Sequence, residues 1–286
     1  MLTMTSCASS ESNKSTASSE SNTSTASADE TTQTSPVSTL SNDDYEYIVL
    51  DDGTVEITRY LEQTGNYCEV SVPSTIDGHT VTRIGKEAFA TTGITGVTIP
   101  DSVTYIGESA FEGCTSLETV RIGKAVTKIE DSAFINPHYE SLSGGSLKEF
   151  TVDNENTAFQ AIDGNIYSKN VTRLIRYANA KSDSEFDIPD TVTDIAAYAF
   201  FSSANPTPVA IPDSVKSIGE CAFFGCVKLL SVTVPASVKS IGDSAIGHYY
   251  DCFNEGYHTE VIGFKGSAAE SYALNDTMCD FKEKKD

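Results

Sequence analysis

The side chains best equipped for chemistry in this 286-residue chain gather in two short segments. Residues 135–146 carry His138 and Tyr139 ahead of Gly144-Gly145, and residues 247–260 carry His248, Tyr249, Tyr250, Cys252, Phe253, Tyr257 and His258. Exposed aromatic rings on loops act as anchors at protein contacts or as platforms for sugar rings. The candidate binding residues are therefore His138, Tyr139, Tyr249, Tyr250, Phe253 and Tyr257. The competing reading is that these rings fold back to cover apolar neighbours, and the sequence leaves both open. His248, Cys252 and His258 offer donor atoms for a metal, but a fourth ligand is missing and the spacing fits no zinc pattern. No metal and no cofactor are expected. No G-x-S-x-G elbow accompanies the serines, so no catalytic residue is assigned and an enzyme is the weaker class.

The seven cysteines contain no C-x-x-C pair and suggest no disulfide framework. Cys114 and Cys226 share one phase of a repeat more than 100 residues apart, so they read as small buried apolar residues that cannot meet. Cys252 and Cys279 are close enough in sequence for a bond near the C-terminal end, a point left open. A net charge of -22 opposes binding to phosphate backbones, so nucleic acid is excluded as a partner. No stretch approaches the roughly 18 apolar residues that a membrane helix needs.

What must position the two segments is a repeat. Val81-Thr82-Arg83-Ile84-Gly85, ending at Ala88-Phe89, recurs as Val103-Thr104-Tyr105-Ile106-Gly107, ending at Ala110-Phe111. It recurs again at Val126, Val192, Val215 and Val238, ending at Phe134, Phe200, Phe223 and Ile246. Consecutive ends lie 22 or 23 residues apart, except for a gap of 66 from Phe134 to Phe200 that leaves room for three turns, two of them degenerate. Each unit holds a second strand signal, Leu117-x-x-Val120-x-Ile122 and its echoes from Ile94, Leu147 and Leu229, joined to the first through Pro100, Pro189, Pro212 or Pro235. A fixed period in the twenties means stacked coils, each burying its apolar face on the next. Proline suits a corner because it donates no ladder hydrogen bond, and Gly85, Gly107, Gly219 and Gly242 mark an expected sharp bend. The predicted fold is β-dominated α/β: a right-handed solenoid of ~23-residue coils over 81–260. Over 43–80, Tyr47–Leu50 and Val55–Ile57 form an N-terminal hairpin cap. Over 261–286, Ser267-x-x-Glu270 opens a short capping helix through about Leu274. The two aromatic insertions, and Phe201 to Pro208, interrupt the repeat at one phase and so fall on one edge of the stack. The outward residues of the Leu-x-x-Val strands, such as Thr98, Glu118 and Arg121, read as a solvated face.

Residues 1–42 differ. Of positions 8–42, 19 are Ser or Thr, too few apolar groups to offset ordering, so a flexible tether is expected. Met4-Thr5-Ser6-Cys7 in front of it resembles a bacterial lipobox, which implies lipidation of Cys7 and contact with a membrane only through that anchor.

The unit Ile99-Pro100-Asp101-Ser102-Val103-Thr104-x-Ile106-Gly107-x-x-Ala110-Phe111-x-x-Cys114, its copy from Ile211, and Gly266-Ser267-Ala268-Ala269-Glu270 together resemble the BspA-like leucine-rich repeat family of bacterial surface proteins. Phe159-x-Ala161-Ile162-Asp163-Gly164-Asn165-Ile166-Tyr167 resembles a variant turn of that family. The resemblance spans about residues 45–282. It implies a leucine-rich-repeat solenoid displayed outside a bacterial cell as a monomer, and it transfers no catalytic residue because the shared motif is core. The implied role is non-enzymatic binding or adhesion to an extracellular protein or glycan. A structural spacer without a specific ligand is the alternative, and an unrecognised enzyme the third.

Overall fold

In the Val-x-x-Ile unit the two branched residues favour extended backbone and both point inward. Val103 and Ile106 are wholly buried, as are Val81 and Ile84. The turn ahead of each unit is closed by one hydrogen bond: the Val103 N–H donates to Pro100 O, and Val192, Val215 and Val238 do the same to Pro189, Pro212 and Pro235. A computed structural model describes residues 39–61, 68–136, 145–180, 186–203, 209–226, 228–247, 259–276 and 279–285. The fold is a β-dominated right-handed solenoid of about 8 turns, about 23 residues apart.

Two parallel ladders run along the stack. The Leu-x-x-Val strands Glu69–Ser71, Gly96–Thr98, Thr119–Ile122 and Glu149–Val152 pair in order. The Val-x-x-Ile strands Val55–Tyr60, His79–Ile84, Tyr105–Ile106 and Lys128–Ile129 form the second ladder. That ladder resumes as Arg173–Arg176, Asp194–Ile195, Ser217–Ile218 and Ser240–Ile241. Between the two runs lies an antiparallel hairpin, Phe159–Ile162 with Asn165–Ser168. Its turn residues Asp163 and Gly164 both have positive φ, as the tight hairpin turn of that twist requires. This hairpin lies within the 66-residue gap. Tyr177 stands 23 residues before Phe200 and donates its N–H to Ala199 O, which gives it the phase of the Phe residues.

The rings at that phase form a column. Tyr60 stacks on Phe89 at 5.1 Å, Phe89 on Phe111 at 5.0 Å, and Phe111 on Phe134 at 5.1 Å. Beyond the hairpin, Tyr177 lies 5.2 Å from Phe200, and Phe200 stacks on Phe223 at 4.7 Å. One coil breaks the pattern beside its ring. Arg176 takes the place that Ala88, Ala110, Ala133, Ala199, Ala222 and Ala245 hold elsewhere, and it is 2 % exposed. Its guanidinium donates to Tyr198 O and to Phe201 O of the next coil. Burial pushes its pKa down to about 10. Asn165, Asn179 and Ser203 are buried nearby in the sequence of the same coils, so polarity concentrates where the hairpin interrupts the stack.

Two expectations change. Gly85, Gly107, Gly219 and Gly242 do not supply a left-handed bend; none has positive φ. A Cβ at Gly219 would lie 2.3 Å from Ala197 N, and one at Gly242 would lie 2.4 Å from Glu220 N. Glycine is favoured in these coils because adjacent backbones approach closely, whereas Glu130 and Ala196 hold the same place in two other coils. The left-handed positions fall two residues later, at Glu87, Ser109, Cys221 and Ser244, with Tyr198 at the same phase. The capping box does not form: Glu270 accepts at 2.6 Å from the Gly266 N–H, one residue before the cap, and the Ser267 hydroxyl makes no cap bond to the helix Ala268–Asn275. The N-terminal hairpin forms as Tyr45–Val49 against Val55–Tyr60, and Leu40–Ser41 pairs onto its outer edge.

Phe111, 1 % exposed and stacked on both faces, has no neighbour able to refill its volume. Phe111→Ala is expected to lower the unfolding free energy by about 3–5 kcal/mol in a chemical-denaturation titration. An unchanged midpoint would overturn the role of the ring column.

Candidate functional site

In each Val-x-x-Ile unit the residue before Ile points outward, and parallel pairing sets these residues in register. Glu56 lies beside Arg83, Arg83 beside Tyr105, and Tyr105 beside Lys128. After the hairpin the column continues through Arg173, Asp194, Ser217 and Ser240. Rungs of a sheet stand about 4.8 Å apart, so neighbours in this column touch.

The Arg83 guanidinium sits 3.9 Å from the centre of the Tyr105 ring, and the Lys128 ammonium lies 5.5 Å from it on the neighbouring rung. The Tyr105 hydroxyl donates to Glu130 at 3.0 Å. Burial, then the Glu130 carboxylate, raise the Tyr105 pKa. The hydrogen bond from Lys128 holds the Glu130 carboxyl below its ordinary value. Each cation has an acid: Arg83 reaches Glu56 at 2.6 Å, Lys128 reaches Glu130 at 2.6 Å, and Arg173 reaches Asp131 at 2.6 Å. Further along, Ser217 and Thr193 donate to the two oxygens of Asp194, and these bonds lower its pKa. Such a column offers cations, a phenol, carboxylates and hydroxyls on a fixed spacing. It can recognise a ligand by hydrogen bonds and charge. Among the described residues no cluster of His, Cys, Asp and Glu is arranged to hold a metal.

His138, Tyr139, Tyr249, Tyr250, Phe253 and Tyr257 lie outside the described residues, as do Cys7, His248, Cys252 and His258. The flanks of the insertions are described. Phe134 and Ile246, which precede them, are buried at the same phase of the repeat. Phe201, at the head of the third interruption, is buried and stacks at 6.1 Å on Phe224. The Arg83–Tyr105–Lys128 column lies on the other ladder from the Leu-x-x-Val strands whose outward residues read as a solvated face. Its signal in the sequence is the variable x immediately before each Ile. The ring of His79 bonds to Gly53 O at 2.9 Å.

The cysteines need one correction. Cys279 is a free thiol, so it does not pair with Cys252. Strand Cys279–Glu283 docks in parallel on Thr259–Gly263, which turns Cys279 inward. Its thiol donates to Ile246 O at 3.2 Å. Cys114 and Cys226 do likewise to Phe89 O at 3.0 Å and Phe200 O at 3.1 Å. All three thiols satisfy a carbonyl at the ring phase of an earlier coil, a use more specific than apolar filling. Cys221, wholly buried, is disulfide-bonded to a partner outside the described residues, a bond the spacing did not suggest.

Residues 82–178 and 172–255 match the family described as BspA type leucine rich repeat region, in 6 copies. The chain belongs to that family. A search of curated proteins gives no match. Among solved structures, a leucine-rich repeat protein from Eubacterium ventriosum is 22% identical, with a TM-score of 0.44 and coverage of 79% of this chain and 71% of that one. The T. pallidum leucine rich repeat protein is 24% identical, with a TM-score of 0.46, over 71% of this chain and 85% of that one. A leucine rich cell surface protein from Faecalibacterium prausnitzii is 20% identical, with a TM-score of 0.35, over 87% and 95%. The family suggests a role in protein interaction or at a surface.

Burial raises the Cys226 and Cys279 thiols from 9.0 to about 12. Because the folded state holds these protons more tightly, their contribution to stability is intact below pH 9 and is lost as the pH climbs towards 12. Only the thiolate reacts with alkylating agents. Timed iodoacetamide labelling of the folded chain near neutral pH, read by peptide mass spectrometry, is expected to modify half-buried Cys68 first. Cys114, Cys226 and Cys279 should react only after denaturant is added, and early labelling of Cys226 would contradict its placement.

Proposed function

We propose that this protein is a non-enzymatic binding module displayed on the outside of a bacterial cell, where it recognises an extracellular protein or glycan. The observation that carries the reading is the contrast between the two sides of one strand. Inward residues repeat as Val and Ile, while the outward column changes at almost every rung: Glu56, Arg83, Tyr105, Lys128, Arg173, Asp194, Ser217 and Ser240. A rigid scaffold with a varied face is suited to recognition, because little ordering entropy remains to be lost on binding. The aromatic insertions, through His138, Tyr139, Tyr249, Tyr250, Phe253 and Tyr257, supply a second candidate surface. The Cys7 lipid anchor and the Ser/Thr-rich tether would hold the solenoid clear of the membrane.

One observation favours the spacer instead: Arg83, Lys128 and Arg173 are each already neutralised by an acid. Immobilised full-length chain screened against matrix proteins and a glycan array separates the two. A ligand is expected, with Tyr105→Ala weakening it at least about tenfold, the loss of one strong contact, while the melting temperature moves by only a few degrees. Loss on joint substitution of Tyr249 and Tyr250 by Ser, with Tyr105→Ala silent, would move the site to the insertions. Silence of a well-folded sample on every surface would establish the spacer.

A further inference from the structure

The two ends of the stack are closed differently. At the N-terminal end the Val-x-x-Ile ladder runs on into the antiparallel hairpin Tyr45–Val49 with Val55–Tyr60, and Leu40–Ser41 pairs outside it. At the C-terminal end only one ladder is extended. Strand Ser231–Thr233 is followed by Thr259–Gly263 and then by Cys279–Glu283. The other ladder stops at Ser240–Ile241, which pairs with Ser217–Ile218 and with no later strand among the described residues.

Every earlier rung of that ladder shows which backbone groups the missing strand would engage. Thr193 O accepts from the Lys216 N–H at 2.6 Å, and Ile195 O from the Gly219 N–H at 2.8 Å. One coil on, Lys216 O accepts from Lys239 and Ile218 O from Gly242, at 2.8 and 2.9 Å. The corresponding acceptors at the last rung are Lys239 O and Ile241 O, and among the described residues no backbone N–H reaches either. The side chains tell the same story. Ile84, Ile106, Ile195 and Ile218 are 2 % exposed or less, whereas Ile241 at the same phase is only half-buried because no next coil covers it. Beside this rung is a cleft of about 950 Å³, walled on its far side by Phe264 to Ala268 and by Tyr272 and Asn275 of the helix.

We infer that this cleft takes an extended peptide segment of another protein, added in parallel as one further rung. The ligand is defined by the interface it continues. Its N–H groups would meet the two carbonyls that no described backbone N–H reaches, and a branched apolar residue would cover Ile241. Glycine would fit best after it, as at Gly219 and Gly242, although Glu130 and Ala196 hold that place in two other coils. The recognised pattern is thus Val-x-x-Ile, best followed by glycine. A second copy of the chain stacked end to end does not meet the requirement, since its own first rung is already covered by the hairpin. The inference goes beyond the proposed ligand surfaces and does not depend on either.

The test uses the full chain and a fluorescent peptide Ser-Val-Lys-Ser-Ile-Gly-Glu, the sequence of residues 214–220, followed by anisotropy. A partner peptide carries N-methyl groups at its Lys and Gly, the two positions aligned with Lys239 O and Ile241 O. Saturable binding of the first peptide is expected, with at least about tenfold weaker binding of the second, the effect of losing two net hydrogen bonds. Equal binding of the two peptides, or no binding of the unmodified one up to about 1 mM, overturns the inference. Because the protein is the same in both titrations, a folding defect cannot imitate either result.

Discussion

Coils in this protein are held at the rung spacing of a parallel sheet, and most of the structure follows from that distance. Ring centroids at 5.0, 5.1 and 4.7 Å in the Phe column sit close to the roughly 4.8 Å between strands, so the rings stack as the backbones pair. The same closeness crowds out a Cβ at Gly107, Gly219 and Gly242, where the preceding coil's backbone would be 2.9 Å away or nearer. No coil is stable alone: its Val, Ile and ring are covered only by the coils on either side. The ends and the interruptions are therefore where the chain must do something different.

The interruption near the middle shows what a departure entails. The hairpin Phe159–Ile162 with Asn165–Ser168 displaces one coil, and apolar residues on its two sides form separate clusters. Arg176 enters the core just beyond it, at a position otherwise reserved for alanine. A buried guanidinium is tolerated where backbone carbonyls are left over, and here Tyr198 O and Phe201 O take its protons. Asn156 serves a related purpose before the hairpin. It bridges Gly123 O and Val126 O with its amide and accepts from Ala158 and Phe159, so polar side chains replace the ladder hydrogen bonds the missing coil would have made.

The proposed recognition face and the core use opposite sides of the same strands. The inward side is uniform because all coils bury the same volume. The outward side is free to vary, and the sequence Glu56, Arg83, Tyr105, Lys128 is ordered into a cation–aromatic–cation column only because the register is strict. Three cysteine thiols, Cys114, Cys226 and Cys279, illustrate a finer economy of the fold, each donating to a carbonyl at the ring phase of an earlier coil.

The repeat, its period, the caps and the family were legible in the one-dimensional pattern, because burial of a periodic stack imposes a periodic choice of residue. Val103, Ile106 and Phe111 could be read as core from spacing alone. Tertiary structure decided what periodicity does not encode. It gave the glycines a steric reason in place of a conformational one. It brought Arg83, Tyr105 and Lys128 together although they are 22 or 23 residues apart, and it turned Cys279 away from a bond with Cys252. Among the described residues it also left Lys239 O and Ile241 O without a rung. A residue's identity reports the space it must fill, but which neighbour fills the other half of that space depends on how the coils are registered and where the stack stops.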